Sequence, residues 1–205
     1  MAADLVTIAT TAALTQFLTP AAKSLGEVAL ERAKQIGSKA VGYLADVGRE
    51  AQPVEEKLLY PLLQSAALET DPTLADKWAA LLANAADPAQ KTPVLPGFAE
   101  VLRQLTPADA NILAHVYKRA QIDEQALPYY ELQSITTQHM PMELGMTDMQ
   151  LALGVDTLLR LRLCASPTPR VRKGGSVEGP TAATLQVCPT VFGVAFLAAV
   201  TPPTP

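Results

Sequence analysis

Aromatic residues are scarce in this chain of 205, at 5% with a single Trp, and only 18% of its residues are charged. A β-sandwich core draws on aromatic and β-branched side chains, so this shortage, beside an alanine-rich 49% hydrophobic content, points to closely packed helices. Two cysteines, Cys164 and Cys188, exclude a disulfide framework and a zinc knuckle, and neither lies in a C-x-x-C pair. The formal net charge of −4 excludes nucleic-acid binding through bulk charge, so any basic site must be local. The apolar stretch from Leu5 to Leu18 falls short of the roughly 20 residues that span a bilayer and is threaded with Thr7, Thr10, Thr11, Thr15 and Gln16. The Met1-Ala2-Ala3-Asp4 start lacks the basic segment of a signal peptide. A mostly α, cytoplasmic protein is expected.

What is present is helical periodicity. Ala22, Leu25, Ala29, Ala33, Ile36, Ala40, Tyr43 and Val47 recur at steps of three and four within residues 20–50 and share one face. That stripe needs a cover, either a helix over residues 4–18 or a second copy of the chain; Leu25, Ala29, Ile36, Ala40, Tyr43 and Val47 are its candidate packing or oligomer seam. A membrane role for the same face competes less well, because the stripe lacks Trp and Phe anchors and a basic polar side. Leu58, Leu62 and Leu63 mark a further helix disturbed at Pro61. Asp71-Pro72 then starts another, with Trp78 as its core anchor, and Phe98, Val101 and Leu102 sit on a short one. These elements predict a helical bundle over residues 1–104.

From residue 105 the character changes. Thr106-Pro107-Ala108-Asp109 is a strong helix start, and Thr147 caps a later helix carrying Met149, Leu153, Leu158, Leu159 and Leu161. A short helix near residues 130–138 is expected between them. Two extended pieces, Leu161–Ala165 and Thr184–Val187, flank a Pro- and Gly-rich tip, and Cys164 and Cys188 could face each other across them. Three helices followed by a small β-hairpin is the order of a winged-helix-like domain, here spanning 105–200. A helix capped by Thr190 completes it, and residues 201–205 are expected to form a disordered tail.

Five blocks of residues resemble one known family. They are Glu56–Leu63 with Ala66–Asp71; Trp78-Ala79-Ala80-Leu81-Leu82-Ala83-Asn84-Ala85 followed by Asp87; Leu105–Ala110 with Ile112-Leu113; Leu158–Leu163; and Thr190–Gly193 with Phe196. In order and approximate spacing these are similar to the Abi-alpha (abortive infection alpha) proteins of bacteria, over about residues 18–199. The chain departs from the family pattern in a short interval before Glu55 and a proline-rich wing. The resemblance implies a largely helical bacterial protein associated with phage defence, and it brings no catalytic residues to transfer.

Enzyme chemistry has little to stand on. His115 and His139 lack metal-ligand spacing, and phosphate-binding or nucleophile motifs are missing, so no enzyme, metal or cofactor is expected. Charge weighs on the winged-helix reading. Gln121–Leu158 holds six carboxylates and no Lys or Arg, which would repel phosphate from the candidate recognition helix. Arg160, Arg162, Arg170, Arg172 and Lys173 lie against Glu178 alone between Leu159 and Glu178, and form the candidate contact for nucleic acid or a partner. The favoured expectation is an abortive-infection protein acting through a protein partner or its own oligomer. A DNA-binding regulator and a membrane-acting toxic effector are the alternatives.

Overall fold

Side-chain caps fix where four of the described helices begin, so part of the fold follows from local chemistry alone. The computed structural model describes residues 27–90, 93–120, 134–167, 170–171, 177–178 and 186–205. Asp71 accepts from the backbone N–H groups of Thr73 and Leu74 at the start of the helix Pro72–Ala86. Thr106 and Asp109 bond reciprocally at the start of Pro107–Ala120: the carboxylate accepts from the Thr106 N–H at 2.9 Å, and the Thr106 hydroxyl accepts from the Asp109 N–H at 3.2 Å. Thr147 and Gln150 make the same reciprocal box before Asp148–Arg160. Thr190 accepts from the Gly193 N–H ahead of Val191–Ala199.

The described helices are α1 (Glu27–Asp46), α2 (Glu56–Ala66), α3 (Pro72–Ala86), α4 (Pro96–Arg103), α5 (Pro107–Ala120), α6 (Met140–Leu144), α7 (Asp148–Arg160) and α8 (Val191–Ala199). The strands are β1 (Ile135–Thr136), β2 (Cys164–Ala165), β3 (Arg170–Val171), β4 (Val177–Glu178) and β5 (Gln186–Pro189). The chain is mostly α. Its contacts divide into unit 1, which runs up to Gln104 and resumes at Ala198–Pro205, and unit 2, Leu105–Leu197. Unit 2 is thus an insertion between two segments of unit 1, and it ends at Leu197 where the sequence pattern predicts a boundary at residue 200.

In unit 1, α1 packs chiefly on α3. Ala33, Ile36, Ala40 and Leu44 are buried along α1, and Trp78, Ala79, Leu81, Leu82 and Ala83 along α3. Ala29 and Ala33 meet Ala67 at the end of α2. Small side chains let the helices approach closely, while Leu and Trp supply roughly 1.5–3 kcal/mol each on burial. Lys39 of α1 pairs with Asp76 of α3 at the exposed rim, where an ion pair adds little. Among the described residues no helix is long and apolar enough to cross a membrane.

Two residues of the tail expected to be disordered, Thr201 and Thr204, accept side-chain hydrogen bonds from unit 1. The buried Asn84 side chain donates to the carbonyls of Ala199 at 2.8 Å and Thr201 at 2.7 Å, with Ala198 at 3.4 Å. Arg49 pairs with Asp87 at 2.7 Å and donates to the Thr204 carbonyl at 2.9 Å. The last carbonyls of a helix have no partner inside it, and Asn84 satisfies them from α3.

In unit 2, β1, β5 and β2 form an antiparallel sheet in that order, and β3 pairs with β4. The short helix expected near residues 130–138 gives way, in its described part, to β1, paired with β5 through Ile135 opposite Val187. Leu161, expected both on the Thr147-capped helix and at the start of the following strand, caps the end of α7, and the strand begins at Cys164. Tyr117 ties the sheet to α8: its hydroxyl donates to the Leu163 carbonyl at 2.6 Å and accepts from the Thr190 N–H at 3.0 Å. Gly193 lies directly against that hydroxyl, where any Cβ would collide with Tyr117 and the Leu163 carbonyl.

The two cysteines are free and buried. Cys164 stands opposite Pro189 and Cys188 opposite Ala165, which turns the two thiols to opposite faces of the sheet rather than toward each other. Burial, with the neighbouring Cys188 adding to it, pushes the Cys164 thiol from 9.0 up to about 12. At pH 8 its thiolate fraction is on the order of 10⁻⁴, so alkylation of Cys164 should be roughly 10³-fold slower in the native chain than in denaturant. Peptide mass spectrometry after iodoacetamide treatment reads this; labelling at the denatured rate would mean that β2 and β5 separate readily. Because the folded value is the raised one, the thiol stays protonated between about pH 9 and 12 while the unfolded thiol ionises. Stability should therefore fall in that window, by about 1.4 kcal/mol per pH unit for this group.

Candidate functional site

The α1 seam and the basic edge of unit 2 are the two sets of residues singled out by sequence. On α1, Ile36 and Ala40 are buried, Ala29 and Tyr43 half-buried, and Val47 lies half-buried in the turn after the helix; Leu25 falls outside the described residues. The chain itself supplies a cover for this stripe, α3, while residues 4–18 lie outside the described set. Leu44, which the seam omitted, is 1% exposed.

On the basic edge, Arg160 ends α7 and Arg162 follows it, both exposed. Arg170 is in β3, and Arg172 and Lys173 are outside the described residues. Arg162 has φ +60°, the left-handed conformation that favours glycine. It occupies the turn that closes α7, where the Leu163 N–H returns to the Leu158 carbonyl and the Arg162 N–H to that of Leu159. Arg162 also offers its own carbonyl to the Thr190 hydroxyl at 2.7 Å. The turn thus holds an exposed guanidinium on a backbone position where glycine is the less strained residue.

The apolar residues of α7 divide between two sides. Leu151, Gly154, Val155 and Leu158 face the interior, and a Cβ at Gly154 would press into Ile112 of α5. Met149 and Leu153, which mark this helix in the sequence together with Leu158, are 69% and 59% exposed. Apolar residues at 149, 151, 153, 155 and 158 satisfy more than one helical face, and close packing of Gly154 on α5 selects which face turns inward. Asp148, Ala152 and Asp156 are exposed beside them.

A polar cluster joins α5 to α6. Arg119 donates to Glu143 at 3.2 Å, and His115 Nε2 lies 2.8 Å from the same carboxylate oxygen. That second contact does not have hydrogen-bond geometry, so Arg119 makes the bond and the imidazole lies beside it. His115 and Arg119, one turn apart on α5, hold Glu143 as a surface tie between the helices. Among the described residues no three of His, Cys, Asp or Glu gather to hold a metal ion.

The periodicity of α7 identified the helix without showing which side was outward, and Asn84 offered no sequence signal beyond its place in the Trp78–Asp87 block. Comparison with known proteins matches the chain to a family model described as abortive infection alpha over residues 26–200. No curated protein and no solved structure matches the chain.

Proposed function

The chain belongs to the abortive infection alpha family, and on that premise we propose that it is a bacterial anti-phage protein that works without catalysis, by binding a protein partner or another copy of itself through unit 2. The observation that carries the protein-binding part is the outward face of α7, which presents Met149, Leu153, Asp148 and Asp156. Unit 2 runs helix, strand, helix, helix, four strands and a closing helix, with sheet order β1, β5, β2, and the run of helices before the small sheet supports a winged-helix-like reading. In that reading α7 is the recognition helix. A DNA reader would carry Lys and Arg there, whereas carboxylates on this face are repelled by phosphate. The free thiols of Cys164 and Cys188 suit a reducing cytoplasm, where we place the protein.

Expression of the full chain in a bacterial host challenged with a phage panel tests this reading. Protection together with arrest of infected cells is the expected result; neither protection nor growth arrest with any phage would remove the defence reading. Arg162→Gly separates contact from folding. Relief of the left-handed strain, less the extra chain entropy of glycine, should stabilise the protein by up to about 1 kcal/mol, read as a higher denaturant midpoint. If the basic edge touches the partner, this more stable variant protects less. The DNA-binding alternative draws on the exposed Arg160 and Arg162. It requires a mobility shift that weakens steeply with salt and is lost when Arg170, Arg172 and Lys173 are neutralised.

A further inference from the structure

We infer that the outward face of α7 docks a helical segment of a partner protein whose apolar stripe is edged by Lys or Arg. The inference rests on the reading of unit 2 as a protein-binding module and names the chemistry of its partner. Met149, Ala152, Leu153 and Asp156 are all exposed and follow one another at steps that keep them on one side of the helix. Single exposed apolar side chains are ordinary, but here two large ones lie one turn apart on a helix whose inward side is already filled by Leu151, Val155 and Leu158. Met142, on the preceding helix, is 81% exposed. The i, i+4 spacing of Met149 and Leu153 matches the anchor spacing of an amphipathic helix, and methionine adapts its shape to an incoming side chain.

Charge selects among the occupants. Asp148 and Asp156 flank the apolar pair, and no Lys or Arg occurs between Gln121 and Leu158; the first base on α7 is the exposed Arg160 at its last residue, one turn beyond Asp156, which leaves the Asp148–Met149 end as the more acidic part of the face. A cationic edge is attracted to this face, whereas an anionic lipid surface is repelled. A second copy presenting the same face would set like carboxylates against one another. A basic amphipathic helix satisfies both the stripe and its rim.

The test uses the full chain and two labelled helical peptides of identical amphipathic spacing, one of Leu and Lys and one of Leu and Glu, titrated by fluorescence anisotropy. The Leu/Lys peptide is expected to bind and the Leu/Glu peptide not to. The double variant Met149→Asp with Leu153→Asp should weaken Leu/Lys binding at least about tenfold while its melting temperature stays within about 2 °C, because both positions are exposed. The sign is diagnostic: the variant adds negative charge, so attraction by charge alone would tighten binding to a cationic peptide. Unchanged or tighter binding by the variant, or equal binding of both peptides, overturns the proposal. So does a wild-type dimer in sedimentation, or binding to phosphatidylglycerol vesicles, that the double variant abolishes, since each assigns the face to another occupant. The plaque assay separates this surface from the defence reading. Wild-type protection that survives in the double variant overturns the surface and leaves defence standing; an absence of wild-type protection overturns defence, while variant-sensitive peptide binding still supports the surface.

Discussion

An Ile36→Asp variant is expected to lose about 4 kcal/mol or more of stability and to melt at least ~15 °C lower, with a matching fall in soluble yield. Ile36 is 5% exposed on the side of α1 that carries Ala33 and Ala40, and α3 is the helix on which α1 chiefly packs. The substitution removes a buried aliphatic group and sets a carboxylate among Ala and Leu side chains, where an unpaired charge is very costly. The nearest basic residues along the helix, Lys34 and Lys39, are exposed and are engaged with Glu31 and Asp76. Natural domains hold only about 5–15 kcal/mol in reserve, so a loss of this size consumes much of it. Ser38→Asp, at an exposed position on the same helix, is the control and should stay within about 0.5 kcal/mol. A folded Ile36→Asp protein with an unchanged melting temperature would show that α1 is not held against α3 in solution, and would return the stripe to a membrane or partner role.

Replacing Asn84 with Asp changes one donor group into an acceptor, yet is expected to cost about 3–5 kcal/mol. The Asn84 amide nitrogen faces the carbonyl oxygens of Ala199 at 2.8 Å and Thr201 at 2.7 Å, at the end of α8. A carboxylate of the same shape would confront those oxygens with negative charge at the helix end that already bears partial negative charge. The repulsion raises the introduced carboxyl's pKa, so its proton is held longer in the folded protein than in the unfolded one. The defect should accordingly shrink as pH falls and the group regains a donor. Asn84→Leu provides the comparison: it removes the hydrogen bonds without adding charge, and about 1–3 kcal/mol independent of pH is expected. Urea titrations at pH 5 and pH 8 distinguish the two variants. Equal losses at both pH values would mean that Asn84 acts by filling space alone. The Asn84 clamp also gives the Trp78–Asp87 block a structural role, since Trp78 sits in the core and both Asn84 and Asp87 help hold the closing residues.

Sequence alone determined what is decided within a few residues. The starts at Asp71, Thr106, Thr147 and Thr190 were legible because each cap closes on a backbone N–H two or three residues away, a bond that needs no tertiary partner. The buried side of α1 was legible because its Ala and Ile residues repeat with a single helical period. Tertiary structure decided the rest, because it depended on groups distant in the chain. The cover on α1 comes from α3, whose residues follow only after the intervening α2, and the fastening of the C-terminus comes from Asn84, 115 residues before Ala199. On α7 the apolar residues fit two faces, and local periodicity could not choose between them. The close approach of Gly154 to Ile112 on α5 turned Leu151 and Val155 inward and left Met149 and Leu153 in solvent, on the surface assigned here to a partner.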